Sequence, residues 1–301
     1  MRRTVKSMRA DRSGVLRVDK PEGPTSHDVV ARARRALGIR RIGHTGTLDP
    51  FASGLLLLAV GAATRLAEYL TRLPKTYRAT ARLGVTTDTA DRTGAELEVS
   101  EAWRELSGER IAEAFRAQTG TIRQRPPAFS AKKVAGERAY TRARRGEEVA
   151  LEPVPVTIWR LEILAIQPPD VHFEVECSSG TYVRAIARDA GAALGVGAHL
   201  TMLRRTRIGP HDVADAVALD RLEDAAAVRR AWLAPADAVA HLPRVAVDAA
   251  AATALAHGRT LPAPADAAAG TPIAVVRNHE LVAIAERDDG RLRPRKVLGR
   301  E

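Results

Sequence analysis

Hydrophobic and polar positions alternate with a period of two in two stretches of the chain. Over 75–83, Tyr77, Ala79, Ala81 and Leu83 fall on one side, and Arg78, Thr80 and Arg82 on the other. Over 171–177, Val171, Phe173, Val175 and Cys177 share a side. Alternation of this kind predicts strands with one buried face. Leu55 to Val60 is instead a continuous apolar run between Gly54 and Gly61, which predicts a strand buried on both faces. The helical period recurs at Val29, Ala33 and Leu37, so a helix is expected to 37, capped by Thr25 or Ser26 and stopped by Gly38. A second helix is expected over 181–194, with Val183, Ile186, Ala187, Ala190 and Leu194 inward and Gly195 at its end, and a shorter one over 109–118 around Ile111 and Phe115. Further strands are predicted over 15–19, 156–166 and 199–207. Helix is predicted over 63–70 and through the Ala- and Asp-rich sequence to about 240. The composition changes at Pro243. Strand-like pieces at 273–276 and 281–284, before a basic RLRPRK ending, suggest a small β-rich appendage over 243–301.

A chain of 301 residues is expected to hold one large domain, or one large and one small. The single cysteine, Cys177, excludes an internal disulfide and any zinc site built on two or four cysteines; its alternation puts it in the core. The longest uncharged run with an apolar block, Pro50 to Thr64, is 15 residues and too short to span a bilayer. The basic N-terminal stretch has no apolar segment of the secretory kind, so a cytoplasmic setting is expected. The formal charge is +11, and residues 116–145 alone carry net +8. Such a cluster is the footprint of a phosphate backbone, or equally the solvated face of a basic protein. Aromatic residues make up 4% of the chain, so any stacking on bases must rest on one or two particular rings.

The sequence contains no phosphate-binding Walker loop, no HExxH and no GxGxxG opening a helix. Gly43-His44-Thr45-Gly46 has the bare GxxG of a KH loop, but Leu48-Asp49-Pro50 follows at once, where a KH loop would enter a helix. Asp49 precedes proline and is therefore extended, in a tight glycine-flanked loop leading into a buried strand. Such a carboxylate has a fixed direction and a partly dry setting. Taken alone, the pattern favours an aspartate that organises a turn.

The wider pattern alters that balance. GVLRVDKPEGPTSHDVV, GHTGTLDPFASGLLLLAVG, KTYRATARLGVTTDTADRTG, RPPAFSAKKVAGERAYTRARRGEEV, CSSGTYVRAIARDAGAALG and GAHLTMLRRTRIGP occur in this order over nearly the first 210 residues. Together they resemble the bacterial tRNA pseudouridine-55 synthase family, TruB. The pairing of GHTGTLDP with GTYVRAIARD is the most specific part. The tail with GRLRPRKVL is more loosely similar to a small PUA-type RNA-binding domain.

The resemblance implies an α/β (α+β) fold: a pseudouridine synthase domain over 1–242 around a large mixed, mostly antiparallel sheet, a thumb insertion at about 123–151, and a PUA-like domain over 243–301. It implies isomerisation of uridine-55 in the T-loop of tRNA, with no cofactor and no metal. The implied partner is the T-arm stem-loop, met by a monomer without a membrane or a guide RNA, since guide-dependent relatives lack an equivalent thumb. Asp49 matches the catalytic aspartate and Arg184 the active-site arginine, expected to pair with it through a planar two-point contact. Tyr77 matches the tyrosine that stacks on the target base, Leu203 an apolar wall of the pocket, and His44 the histidine that enters the RNA loop as the base leaves. Lys20, Pro21 and Gly46 match the segments that support the catalytic loop. Arg123, Lys132, Lys133, Arg138, Arg142, Arg144 and Arg145 fall in the thumb and are expected to meet RNA phosphates. Lys132 stands where an aliphatic residue is usual, and His211 where an aromatic is common. The first is expected to alter thumb packing and the second core packing near the pocket. The competing class is a non-catalytic RNA-binding protein or tRNA chaperone using the same basic surface. A second rival, an aspartate-nucleophile hydrolase or phosphotransferase, would want a metal-binding acidic cluster, and none surrounds Asp49 in sequence.

Overall fold

The apolar run predicted to be buried on both faces becomes β3 (Ser53–Val60), and its alternate residues enter two different cores. Leu56, Leu58 and Val60 pack with Val29, Val30, Ala33 and Leu37 of helix α1 (Ser26–Leu37), while Leu55 and Leu57 face a second cluster behind the sheet. The computed structural model describes residues 13–129, 151–265 and 267–298, together with 133–134, 137–138, 142, 145 and 147.

Around β3 runs a mixed sheet. The strand β1 (Gly14–Lys20) pairs antiparallel with β3, as does the short β2 (Ile42–His44). On the other side of β3, β12 (Ala198–Ile208) pairs in parallel, and only through Arg204 with Ser53 and Arg205 with Gly54. Beyond β12 come β4 (Lys75–Leu83), β11 (Asp170–Cys177), β10 (Val154–Gln167) and β7 (Gly120–Gln124), all antiparallel to their neighbours, while the short β5 (Val85–Thr87) and β6 (Glu96–Val99), and β8 (Lys133–Val134) and β9 (Glu137–Arg138), pair off the sheet. The sheet is thus two halves joined by a brief parallel contact at Gly54. The buried side chains of β4 and β11 (Tyr77, Ala79, Phe173, Val175) pack under helices α3 (Gly108–Arg116) and α4 (Val183–Leu194) in one core.

Helix α1 starts as expected. Thr25 accepts from the Asp28 backbone N–H at 3.1 Å, and the Asp28 carboxylate accepts from the Thr25 N–H at 2.8 Å, a reciprocal cap. Gly38 ends it with a left-handed φ of 70°. Three predicted elements change. The stretch expected to be helical to 240 is α-helical only at Ala225–Ala231 and Pro235–Ala238, with 3₁₀ turns at Val213–Asp215 and Leu219–Arg221; the pieces Val217–Ala218 and Trp232–Leu233 instead pair with β1. Alanine and aspartate there signalled propensity, but the open edge of β1 decided the outcome. The predicted 63–70 helix begins as a 3₁₀ turn, Gly61–Leu66, before α2 (Ala67–Thr71). The second predicted helix starts at Val183 rather than 181. Its start is set by Gln124, which is buried and bonds both the N–H and the carbonyl of Tyr182, at 2.8 and 3.1 Å.

After Pro243 a separate five-stranded sheet forms, in the order Arg244–Ala246, Pro272–Arg277, Glu280–Asp288, Arg291–Val297 and Leu261–Pro262, with a helix at Ala249–Ala256. The basic RLRPRK ending is itself a strand. Ala274, Leu281 and Ile284 of this sheet share the cluster behind β3 with Leu66, Tyr69 and Leu70.

Candidate active site

The loop 45–52 carries Asp49 between β2 and β3 and is pinned at several points. The Ser26 hydroxyl, buried in the first turn of α1, accepts from the Leu48 N–H at 2.9 Å and donates to the Leu48 carbonyl at 3.1 Å. Thr25 therefore caps the helix, and Ser26 holds the loop. Lys20, at the end of β1, is fully buried, and its ammonium donates to the carbonyls of Pro21 (2.8 Å), Pro24 (2.9 Å) and Pro50 (3.3 Å). Burial lowers its pKa to about 8, against the pull of the Asp49 charge. Pro21 itself is exposed and contributes only its carbonyl.

Arg184, in the first turn of α4, comes to this loop from the other half of the sheet. Its Nε lies 2.9 Å from Asp49 Oδ2, with the arginine side chain 4% and the aspartate side chain 33% exposed. The N–H is not aligned on the carboxylate, so this is an ion pair at one point. The expected planar two-point contact is not formed, because the other guanidinium nitrogens are engaged elsewhere. Nη1 donates to the Thr89 carbonyl (2.7 Å) and lies 3.5 Å from Asp91 Oδ2, and Nη2 donates to the Phe129 carbonyl (2.9 Å). A cation in the first turn of a helix opposes the helix dipole, and two carboxylates offset it here. Asp91 is buried and is fixed by the Thr93 N–H and hydroxyl, at 2.9 and 2.5 Å.

Tyr77 and Leu203 lie in the same core cluster as Leu48 and Phe51 of the loop, and are 8% and 4% exposed. Burial raises the Tyr77 phenol pKa, opposed by the charge and hydrogen bond of Arg205. Arg205, two residues beyond Leu203, donates to the carbonyls of Leu55, Thr47 and Gly46. His44 packs edge-on against His27, ring centroids 5.1 Å apart, and its Nδ1 accepts from the Gly46 N–H at 3.4 Å. Asp49, Arg184, Tyr77 and Leu203 are therefore brought together, with His44 at the loop's entry. Sequence reasoning did not single out Asp91, Gln124 or Arg205, and it offered Ser26 only as an alternative helix cap, not as the residue that holds the loop. For Arg205 the signal was present: an arginine at a position where β12 faces the apolar side of β4.

In the thumb region Arg123 is exposed and donates to the Pro153 carbonyl at 3.1 Å. Lys133 and Arg138 pair across a hairpin of Lys133–Val134 and Glu137–Arg138. Arg142 and Arg145 both contact Glu147, each at 2.7 Å. Lys132 and Arg144 lie outside the described residues. His211 is buried at the end of the sheet. Burial lowers its pKa, and the polar and charged groups that act on it are the Ala238 backbone, Arg17, His241 and Asp215. Among the described residues no three His, Cys, Asp or Glu side chains are grouped to hold a metal, and no helix is long and apolar enough to cross a membrane. A cavity of about 400 Å³ lined by Thr76, Arg78 and Glu174 lies on the sheet face opposite Tyr77.

Residues 34–183 match the TruB family pseudouridylate synthase N-terminal domain, and 184–242 match the tRNA pseudouridylate synthase B C-terminal domain. A protein of Arthrobacter sp. called tRNA pseudouridine synthase B is 46% identical over 279 residues, 91% of this chain and 89% of that one. The chain belongs to the TruB family of pseudouridylate synthases. A TruB relative of the same name from Cutibacterium acnes is 47% identical, over 92% of this chain and 94% of its own. The fold is shared with solved structures of an H/ACA RNP bound to a substrate RNA (TM-score 0.75, 28% identity, 96% of this chain and 86% of that chain). It is also shared with a Cbf5–Nop10–Gar1 complex (TM-score 0.75, 30% identity, 97% and 86%). The TruB match divides between α4's first two residues, so Asp49 and Tyr77 fall in one matched domain and Arg184 and Leu203 in the other.

Proposed function

We propose that this chain is a stand-alone tRNA pseudouridine-55 synthase, an isomerase in which Asp49 is the catalytic group. The observation that carries the reading is a one-third-exposed carboxylate held at 2.9 Å from a buried arginine, in a TruB-family chain. In the reaction the N1–C1′ bond of uridine breaks, the uracil turns, C5 bonds to C1′, and the C5 proton is lost as N1 gains one. Nothing is oxidised and no group is added, so the chemistry asks for a carboxylate beside ribose and base, and for walls that keep the detached uracil. Arg184 holds the Asp49 carboxylate in place through the ion pair at 2.9 Å. Tyr77 and Leu203 hold the base, which replaces the contacts now covering the tyrosine ring. Extrusion from the T-loop costs about a few kcal/mol, offset by that stacking and by thumb contacts with phosphates. His44, at the loop's entry, takes the space that the base vacates in the RNA. The β-rich unit over 243–301, with its basic strand, acts as a further RNA-binding domain.

Incubation with an unmodified tRNA transcript in EDTA, followed by pseudouridine mapping, tests this reading. Conversion at position 55 without nucleotide or metal is expected. Binding without conversion would favour an RNA chaperone. Activity lost to EDTA and restored by one metal would favour metal-dependent chemistry.

A further inference from the structure

Arg205 has the largest fully buried side chain among the described residues, at 1% exposure. No carboxylate among those residues pairs with it. Its acceptors are neutral: the carbonyls of Leu55 (2.7 Å from Nε), Thr47 (3.3 Å from Nη1) and Gly46 (3.3 Å from Nη2). Burying a charge without a counter-charge is expensive, and an apolar side chain would fill the same volume without that cost. The value of the guanidinium therefore lies in where its N–H groups point. Two point to the stretch that enters Asp49 and one to the strand that leaves it, so one planar group ties both ends of the loop. Tyr77 stands directly opposite Arg205 across β4 and β12, and the guanidinium, by its charge and hydrogen bond, opposes the rise that burial gives the phenol pKa.

The backbone is shaped for this approach. Gly54 has a φ of 110°, and a Cβ there would lie 2.2 Å from the Arg205 carbonyl oxygen. The one place where the two halves of the sheet touch is thus also the place where Arg205 crosses under the loop. Lys20 holds the loop from its other side through Pro50.

We infer that Arg205 is a positioning residue for the isomerisation: it locks the loop 46–55 and, through the Tyr77 hydroxyl, sets the stacking ring in register with the Asp49 carboxylate. This rests on the function proposed above for the same site. It assigns no contact between Arg205 and RNA, so its effect belongs on the chemical step and not on tRNA affinity.

The test compares the parent chain, Arg205→Lys, Tyr77→Phe and the double variant by single-turnover rate, tRNA Kd and backbone hydrogen exchange. A lysine keeps the charge but cannot span three carbonyls. In Arg205→Lys the amides of 45–49 should exchange at least about tenfold faster while those of β4 and β11 keep their protection. The rate per folded molecule should fall about a hundredfold with Kd within about threefold, as displacement of a reacting group produces. Tyr77→Phe keeps the ring and should lose about tenfold, and adding it to Arg205→Lys should cost nothing more, because the shared contact is already gone. Unchanged loop exchange, a rate that merely follows the folded fraction, or losses that multiply in the double variant would overturn the inference. If Arg205→Lys does not fold, Tyr77→Phe decides alone: faster loop exchange with a lower rate supports the inference, and parent-like values for both overturn it. If the parent forms no pseudouridine, the proposed function falls, while loop exchange still decides whether Arg205 holds the loop.

Discussion

Arg184 spreads one guanidinium over Asp49, Asp91 and the carbonyls of Thr89 and Phe129, so no single contact defines it. A lysine can reach one of these partners and leaves the others unpaired in a buried setting. Arg184→Lys should therefore lower the single-turnover rate by about a hundredfold or more. A variant keeping most of the parent's rate would remove Arg184 from the site. Lys20 adds a pH dependence. Its folded pKa, about 8, lies below the ordinary 10.5, so the unfolded chain binds its proton more tightly. The stability linked to this group is full above 10.5 and is lost as pH falls through about 8, so raising the pH through that window strengthens the fold on its account. A rate that declines above about pH 8 would then report the lost ammonium at Pro50 and Asp49, not unfolding. Lys75, whose pKa is also lowered to about 8 by burial, titrates in the same window, so Lys20→Met should flatten the alkaline limb of the rate profile and Lys75→Met should not. Asp49 and Arg184 were legible because each stands in a distinctive motif. Asp91, although inside a segment that carries the resemblance, and Gln124, just before another, were not, because their roles exist only once strands far apart in sequence meet.

The elements show the same division. Strands and helices with a clean period of two or of 3.6 were readable to within a residue or two, since the core they face repeats with that period. The segment from 217 to 240 was not, because its short strand pieces are defined by the free edge of β1 and not by their own composition. Charge was readable in the thumb as an amount but not as an arrangement: Glu147, just past the basic window, already pairs with Arg142 and Arg145. These pairs are partly exposed and contribute little to stability, so RNA phosphates can replace the carboxylate. Changing Arg138, Arg144 and Arg145 together to Gln should weaken tRNA binding and reduce the slope of log K against log salt by about 2–3. Saturating turnover should fall much less than affinity. Filter binding at three salt concentrations checks this; parallel lines for parent and variant would mean that these side chains do not meet phosphates.

At the scale of the molecule, two sheets share one apolar cluster. Ile284 and Leu281 of the C-terminal sheet pack with Leu66, Tyr69 and Leu70, and Lys296 pairs with Glu68 at 2.9 Å across the same junction. The composition shift at Pro243 marked the second unit in the sequence but gave no hint of this junction, whose members are separated by some two hundred residues. Ile284→Ala should cost about 2–5 kcal/mol, and calorimetry should show one transition moving down as a whole. Two transitions, with only one displaced, would mean that the units fold separately. The central claim is that the whole assembly serves one carboxylate. Its most direct test is the conversion of uridine-55 in an unmodified tRNA transcript by the parent chain and by Asp49→Asn, an almost isosteric change that removes the charge. The parent should convert position 55 fully. Asp49→Asn should bind the same tRNA within about threefold and form no pseudouridine, because the lost group acts in the chemical step. Measurable turnover by a verified Asp49→Asn sample would contradict the account.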